Sequence, residues 1–575
     1  MKYILKSFLV VTLLFSSTQA DVIGEQVQAL GLALQANTRP VISGFSFNCN
    51  KNQNLSARFL TDGTLDGTYN GTGYNMIIFG GSSFGKAVTV QPADQKIVVA
   101  GFSDDTIGVL RFTTAGVLDT TFGTGGRVNL NLGVNENGNA VVMQSGKILV
   151  AGNATVGGVT QFFVTRLNST GAVDAGFGTS GITVTPIGDG AAANGMGLQS
   201  NNKIVLGGVA VANGEVLFAV SRYTSSGVLD TTFGVGGTAT TPVGDFGVGN
   251  ALAIDASNRI VIAGYAISGG VHQVAAVRFT ANGTLDGSFG TNGVVLYDIP
   301  VTDIDHGLGV AIQADGQIVI AGSSGSQALV MRLNSSNGSL DTTFGGGAGY
   351  VTTSIGSTAI ATSVAIQPAD QMILIAGYSD LSAFIARYDV DGNLDTTFGG
   401  LGTGYNLSLQ GSLEATCGNC TVCPVGPTGA TGSSGSTGAT GSASLNSYAY
   451  FYNSGLSLNL SLATTTPIPF NTEGIKNNIT HSTITNSDQI TIVNTGVYKA
   501  TAIVDLSVAL LGTNFALLKN SVAIPGTNVS LAGVGSTVAQ ATFNATAGDI
   551  IQVAQLGLVA VSVTGVASIT VEQIA

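Results

Sequence analysis

The stretch Leu118-Asp119-Thr120-Thr121-Phe122-Gly123 returns along the chain at a nearly fixed interval. Near-identical copies stand at Leu229 to Gly234, Leu340 to Gly345 and Leu394 to Gly399. Looser ones carry the same aspartate at Asp66, Asp174 and Asp286, the Asp66 copy with Tyr69-Asn70 for Phe-Gly and the Asp174 copy with Val173 for Leu. Successive aspartates lie 53 to 56 residues apart, which makes seven units. Upstream of each stands an arginine: Arg58, Arg111, Arg166, Arg222, Arg278, Arg332 and Arg387, eight residues before its Asp in six units and nine in the sixth. Earlier still comes a hydrophobic run that closes on glycine, such as Ile97 to Gly101 or Ile260 to Gly264, eroded in the first unit to Val41-Ile42-Ser43-Gly44. In the second unit, four strand-like pieces (87–91, 97–100, 108–112, 127–132) are separated by turns such as Ala93-Asp94-Gln95-Lys96. Four short strands in one period, repeated seven times, predict a seven-bladed β-propeller over residues 21–410. A β-solenoid is the alternative, but its repeats are usually shorter, and a closed ring explains why no distinct capping unit is present.

The repeated residue types have physical reasons. Glycine after the aromatic permits positive φ in a tight turn. The Leu and Phe are expected between blades. Arg222 ends the alternating run Phe218-Ala219-Val220-Ser221-Arg222, on the face shared with Phe218 and Val220. A guanidinium there calls for a carboxylate, so Arg58–Asp66, Arg111–Asp119, Arg166–Asp174, Arg222–Asp230, Arg278–Asp286, Arg332–Asp341 and Arg387–Asp395 are predicted structural pairs, within a blade or across to a neighbour. Calcium binding is the alternative, prompted by Asp389-x-Asp391-Gly392-x-x-Asp395; that spacing lacks the other ligands of a calcium loop and occurs once. The motif resembles the delta-60 repeat family, whose repeats are regarded as propeller blades. The resemblance implies fold and no common activity.

A site unique to one place should break the repeat. The cluster Asp303, Asp305 and His306, between the fifth and sixth units, does so; a solvated loop is the plainer reading. Three histidines in the whole chain (His272, His306, His481) leave little room for metal or acid/base chemistry. No metal, cofactor or catalytic residue is expected. Charged residues make up only 9% of the chain, against roughly 25% in ordinary domains. The net charge is −12 and no basic stripe exists, which argues against nucleic acid.

Lys2 and Lys6, the apolar run from Phe8 to Phe15 and the small residues up to Ala20 predict a secretory signal peptide over residues 1–20. No later stretch has the length of a membrane span. After a linker (411–425), residues 426–443 form six Gly-X-Y triplets, with glycine at 426, 429, 432, 435, 438 and 441. Only glycine fits the axis where three chains meet, so this predicts a short collagen-like stalk, with a flexible linker as the alternative. Thr428, Thr431, Thr437 and Thr440 take the exposed third position and are candidates for O-glycosylation.

In the oxidising compartment that export implies, Cys49, Cys417, Cys420 and Cys423 favour disulfides over a metal cluster. Cys49 is expected to bond one of the three clustered cysteines, with Cys417 the first candidate because the chain reaches it soon after leaving the last unit. Cys420 and Cys423 then either link chains or bond to each other.

Residues 444–575 carry strand-like alternation and almost no charge, which suggests surface buried by partner chains. Ile468-Pro469-Phe470-Asn471, Gly496-Val497-Tyr498, Leu518-Lys519-Asn520, Ile524-Pro525-Gly526 and Ala547-Gly548-Asp549 resemble the C-terminal domain of the collagen-like glycoproteins of Bacillus exosporium. That resemblance implies a trimerising jelly roll of the complement/tumour-necrosis-factor type, and surface display without the family's long stalk. The expected protein is an all-β, secreted or cell-surface homotrimer, structural or adhesin-like, whose propellers meet a surface glycan or protein ligand. The alternatives are a lectin-like propeller, or a secreted glycosidase or lyase with paired carboxylates drawn from different blades.

Overall fold

The computed structural model describes residues 21–24, 26–48, 51–104, 106–300, 304–400 and 402–411, and then the strand segments between Tyr448 and Gln573 with Asn520. The chain divides into two compact units, Met1–Cys423 and Pro424–Ala575.

The first unit is a seven-bladed propeller, each blade an antiparallel meander of four strands. Blade one consists of Pro40–Asn48, Lys51–Arg58 and Tyr74–Ile77 following the innermost strand Gln26–Leu34, and blade two of Ser83–Val90, Ile97–Ser103, Thr106–Phe112 and Arg127–Leu130. The second strand of each blade is a continuous hydrophobic run because neighbouring blades cover both of its faces. Ile97, Val98, Val99 and Ala100 are all buried. The core is therefore a series of seams. One joins Val98, Ala100, Val109 and Phe122 of blade two to Val141, Ile148, Val150 and Phe163 of blade three.

The innermost strand of blade two begins at Ser83, four residues before the sequence pattern shows it. A β-bulge between Gly85 and Ala87 is the reason: one extra residue shifts the period-2 alternation, so the first half of the strand falls out of frame with the second. The bulge recurs at the equivalent place in all seven blades, and its extra residues are Leu30, Lys86, Asn139, Asn194, Asn250, Leu308 and Thr362.

Blade seven (Ala359–Ile366, Ile373–Ser379, Ser382–Tyr388, Tyr405–Gly411) has a fifth strand, Asp21–Gly24, laid parallel to its outer edge with Asp21 opposite Leu409. The strand pairing that joins the ring's ends uses Asp21–Gly24, because blade one needs Gln26–Leu34 as its own innermost strand. Ile23 is buried there with Leu374, Ile385 and Leu409, and the Ser46 hydroxyl donates to its carbonyl at 2.8 Å.

The second unit is a jelly roll of two antiparallel sheets. One runs in the order Thr472–Asn477, Tyr448–Asn459, Ser562–Gln573, Gly496–Leu506, Gly535–Ala545. The other runs Ile479–His481, Ile490–Ile492, Ile550–Leu556, Thr513–Lys519, Val522–Ala523, with Thr466–Pro467 and Val529–Leu531 paired onto its central strands. Among the described residues no helix is long and apolar enough to cross a membrane.

Candidate functional site

The repeated motif sits where the third strand of each blade ends, and it faces the next blade. Each arginine donates Nε to its own blade's aspartate at 2.7 to 2.9 Å. Its Nη1 reaches a turn carbonyl of the following blade: Arg111 to Ser169 at 2.6 Å, Arg166 to Ser225 at 2.9 Å, Arg222 to Ala281 at 2.6 Å, and likewise Arg58 to Thr114, Arg278 to Ser335 and Arg332 to Val390. Each guanidinium also lies 4.4 to 5.0 Å from the ring centroid of the motif's aromatic, a cation–π contact. That ring fills the space beside a turn glycine of the next blade. At Gly283 a Cβ would meet the Phe233 ring at 2.7 Å, and its φ is +87°. The Leu-Asp-x-x-Phe-Gly phrase is thus an inter-blade clasp, and its identical repetition follows from seven identical seams.

A second cation joins five of the pairs. Arg39, Lys96, Lys147, Lys203 and Arg259 reach Asp66, Asp119, Asp174, Asp230 and Asp286. In blade six Gln317 replaces it, donating to Asp341 at 2.8 Å, and in blade seven the position holds Met372. These cations were legible as a basic residue directly before the hydrophobic run in five of the seven units, a signal the sequence reading passed over. Burial by itself would raise the Asp119 pKa, but hydrogen bonds from Thr121 and Lys96 and the Arg111 charge outweigh it and hold the carboxyl well below its usual range. The other six motif aspartates are lowered as well. The calcium-like run is also spent internally: Asp389 accepts the amides of Asp391 and Asn393, and Asp395 pairs with Arg387.

Among the described residues, a group of polar side chains unlike the repeat gathers between blades five and six. Tyr265 comes from the strand Ile260–Ser268, His272 from Val271–Phe279 and His306 from the innermost strand Asp305–Ile312. His272 Nδ1 and His306 Nε2 are 3.1 Å apart. The Tyr265 ring stacks on His272 at 5.8 Å and lies 4.4 Å from His306. Burial, with the neighbouring imidazole, pushes the His306 pKa down to about 3, and burial lowers that of His272. Both rings are therefore neutral at neutral pH, one donating to the other. The buried Tyr265 hydroxyl has no partner among the described residues, and burial raises its pKa. Asp305, adjacent in sequence to His306, is buried and accepts the Ile299 amide at 2.6 Å. It is a structural carboxylate where a solvated loop residue was expected. Asp303 lies outside the described residues. Sequence reading placed His306 in a cluster here but did not join Tyr265 or His272 to it, since pairing within blade five and the packing of blade six against it bring the three together. Among the described residues no three His, Cys, Asp or Glu converge to hold a metal.

Cys49, Cys417, Cys420 and Cys423, and Thr428, Thr431, Thr437 and Thr440 with the whole Gly-X-Y segment, lie outside the described residues.

The family described as a domain of unknown function (DUF5122) β-propeller matches residues 93–122, 144–177, 199–233, 256–289, 313–344 and 369–398, each match ending at or within the clasp. The BclA C-terminal domain matches residues 449–575. Similar solved structures include Sqt1 from Chaetomium thermophilum, at 12% identity over 66% of this chain and 84% of that one, with a TM-score of 0.39. They also include the Eiger TNF of S. frugiperda, at 14% identity over 22% of this chain and 92% of that one, TM-score 0.18. Pika GITRL is similar at 12% identity over 22% and 95%, TM-score 0.15. No curated protein matches the chain in sequence. Six of the seven repeats thus match the DUF5122 β-propeller model, and residues 449–575 match the BclA C-terminal domain.

Proposed function

We propose that this is an exported, non-enzymatic surface protein in which three chains associate through the BclA C-terminal domain and display three propellers. The observation that carries the reading is the presence of that domain on one chain with a propeller whose repeated charges are consumed in its own seams. A propeller enzyme needs ionisable groups from several blades turned toward a substrate. Here the seven Arg–Asp pairs face neighbouring blades, and the two imidazoles between blades five and six are buried against each other. Three-fold display strengthens a weak contact to a glycan or protein without any new interaction.

The test is the mass of the purified mature chain by sedimentation equilibrium, together with antibody labelling of intact cells or spores. A three-chain mass and surface labelling are expected. A single-chain mass removes the assembly, and labelling only after permeabilisation removes the location. The stalk and cysteines belong to the same reading. Collagenase should sever the propeller from a trimeric C-terminal fragment, and chains joined through Cys420 and Cys423 should separate on electrophoresis only with reductant.

A further inference from the structure

The seven bulge residues stand at equivalent places in the seven innermost strands, so they form one level around the axis. Each is partly exposed although it lies in the innermost strand of its blade. Four of them hand a hydrogen bond around the ring to a backbone carbonyl of the next blade. Asn139 donates to Ala193 at 2.9 Å, Asn194 to Gly249 at 2.8 Å, Asn250 to Gly307 at 2.9 Å and Thr362 to Ala29 at 2.8 Å. Lys86 departs from this pattern. Its ammonium reaches the next blade's side chain, Asn139 Oδ1, at 3.2 Å. The Asn139 amide nitrogen is committed to Ala193 and to Asn153 Oδ1, which fixes that oxygen toward Lys86.

Lys86 is also the only cation in the seven innermost strands. Of the two carboxylates there, Glu136 accepts the amides of Leu132 and Gly133, and Asp305 accepts that of Ile299. Among the described residues no carboxylate bonds to Lys86, and protein atoms surround it closely enough for desolvation to lower its pKa to about 8. A crowded cation with one neutral acceptor and two unused N–H donors lacks a counter-charge, whereas the motif arginines all have one.

We propose that this axial ring is a binding site for a carboxylate, with Lys86 as its counter-charge. One ammonium balances one negative charge. The side-chain oxygens of Asn194 and Asn250 at the same level, and the chain's net charge of −12, disfavour an anion of higher charge. The occupant is therefore a monocarboxylate, either a free small acid or the carboxylate of a uronic-acid residue. The site depends neither on export nor on trimer formation, so it stands or fails separately from the proposed function.

The test is thermal melting of the full chain in sodium acetate and sodium glucuronate, against sodium chloride and glucose at matched concentration. At about tenfold saturation a carboxylate should raise the midpoint of the propeller by roughly 1–2 °C. The rise should fade as pH climbs through about 8, where the ammonium deprotonates. It should persist in Lys51→Ala, which alters an exposed lysine. It should vanish in Lys86→Met and in Lys86→Asn; the latter installs the residue that three other blades use at this level, which keeps the test open if the methionine variant does not fold. An equal rise with chloride, an equal rise in Lys86→Asn, or no rise in the unaltered chain overturns the proposal.

Discussion

The guanidinium of Arg387, in the last blade, donates to the carbonyl oxygen of Thr61, in the first, at 2.8 Å. The same bond joins every other consecutive pair of blades, so the ring closes with the contact that builds it. Nearby the Gly399 amide donates to Asp62 at 2.7 Å, matching Gly123 to Thr170 and Gly234 to Asn282. Closure is therefore a seventh seam, with the strand Asp21–Gly24 added as a latch.

The clasps differ in how much charge each would leave uncompensated. Arg222 and Arg332 are equally buried, but Asp230 also pairs with Lys203 at 2.8 Å, whereas Asp341 has only the neutral Gln317. Arg332→Met should cost about 3–5 kcal/mol, the range for orphaning one member of a buried pair. Arg222→Met should cost clearly less. Denaturant unfolding of the two variants decides, and equal losses would mean that the second cation contributes nothing.

Gly283 and Gly236 separate backbone strain from the clasp. Both have positive φ, +87° and +62°, but a Cβ at Gly236 meets open space while one at Gly283 strikes the Phe233 ring. Gly236→Ala should cost about 1–2 kcal/mol for the left-handed backbone alone. Gly283→Ala should exceed it, and melting temperatures of the pair give the difference.

The latch holds the ring through Ile23, which is 3% exposed. Ile23→Ala should destabilise by about 2–4 kcal/mol from lost burial and the cavity left behind. A melting temperature unchanged from the parent would show that Asp21–Gly24 is an appendage.

The histidine pair sets a pH window. His306 binds its proton near pH 3 when folded and near 6.5 when unfolded, so between these values the unfolded chain holds more protons and stability falls as pH falls. The motif aspartates work in a lower window: their folded pKa values are depressed, so what they contribute is lost only below about pH 4. Between pH 6 and 4.5 the slope should therefore come from the imidazoles, approaching ~1.4 kcal/mol per pH unit. Urea unfolding across that range should show the slope in the parent chain and a flattened one in His306→Gln.

Much of this was legible in the sequence because it repeats. A seam that occurs seven times writes the same Arg, Asp, Phe and Gly seven times, and period alone distinguishes them from scattered charges. The jelly roll was legible only through resemblance: motifs such as Gly496-Val497-Tyr498 resemble the C-terminal domain of the exosporium glycoproteins, and that family implies the fold. The innermost strands were half hidden, since one extra residue at each bulge throws the alternation out of frame. What the tertiary structure decided lies between units rather than within them. Each aspartate takes its arginine from its own blade and leaves the neighbour's turn carbonyl to Nη1, a choice set by where the third strand ends. His272 and His306 stand 34 positions apart and meet only because consecutive sheets pack face to face. Lys86 sits in a strand that looks unremarkable until seven of them are arranged about one axis. Local pattern determines which residues form strands and turns; the company a side chain keeps across a seam or an axis depends on ring closure, which no window of sequence contains.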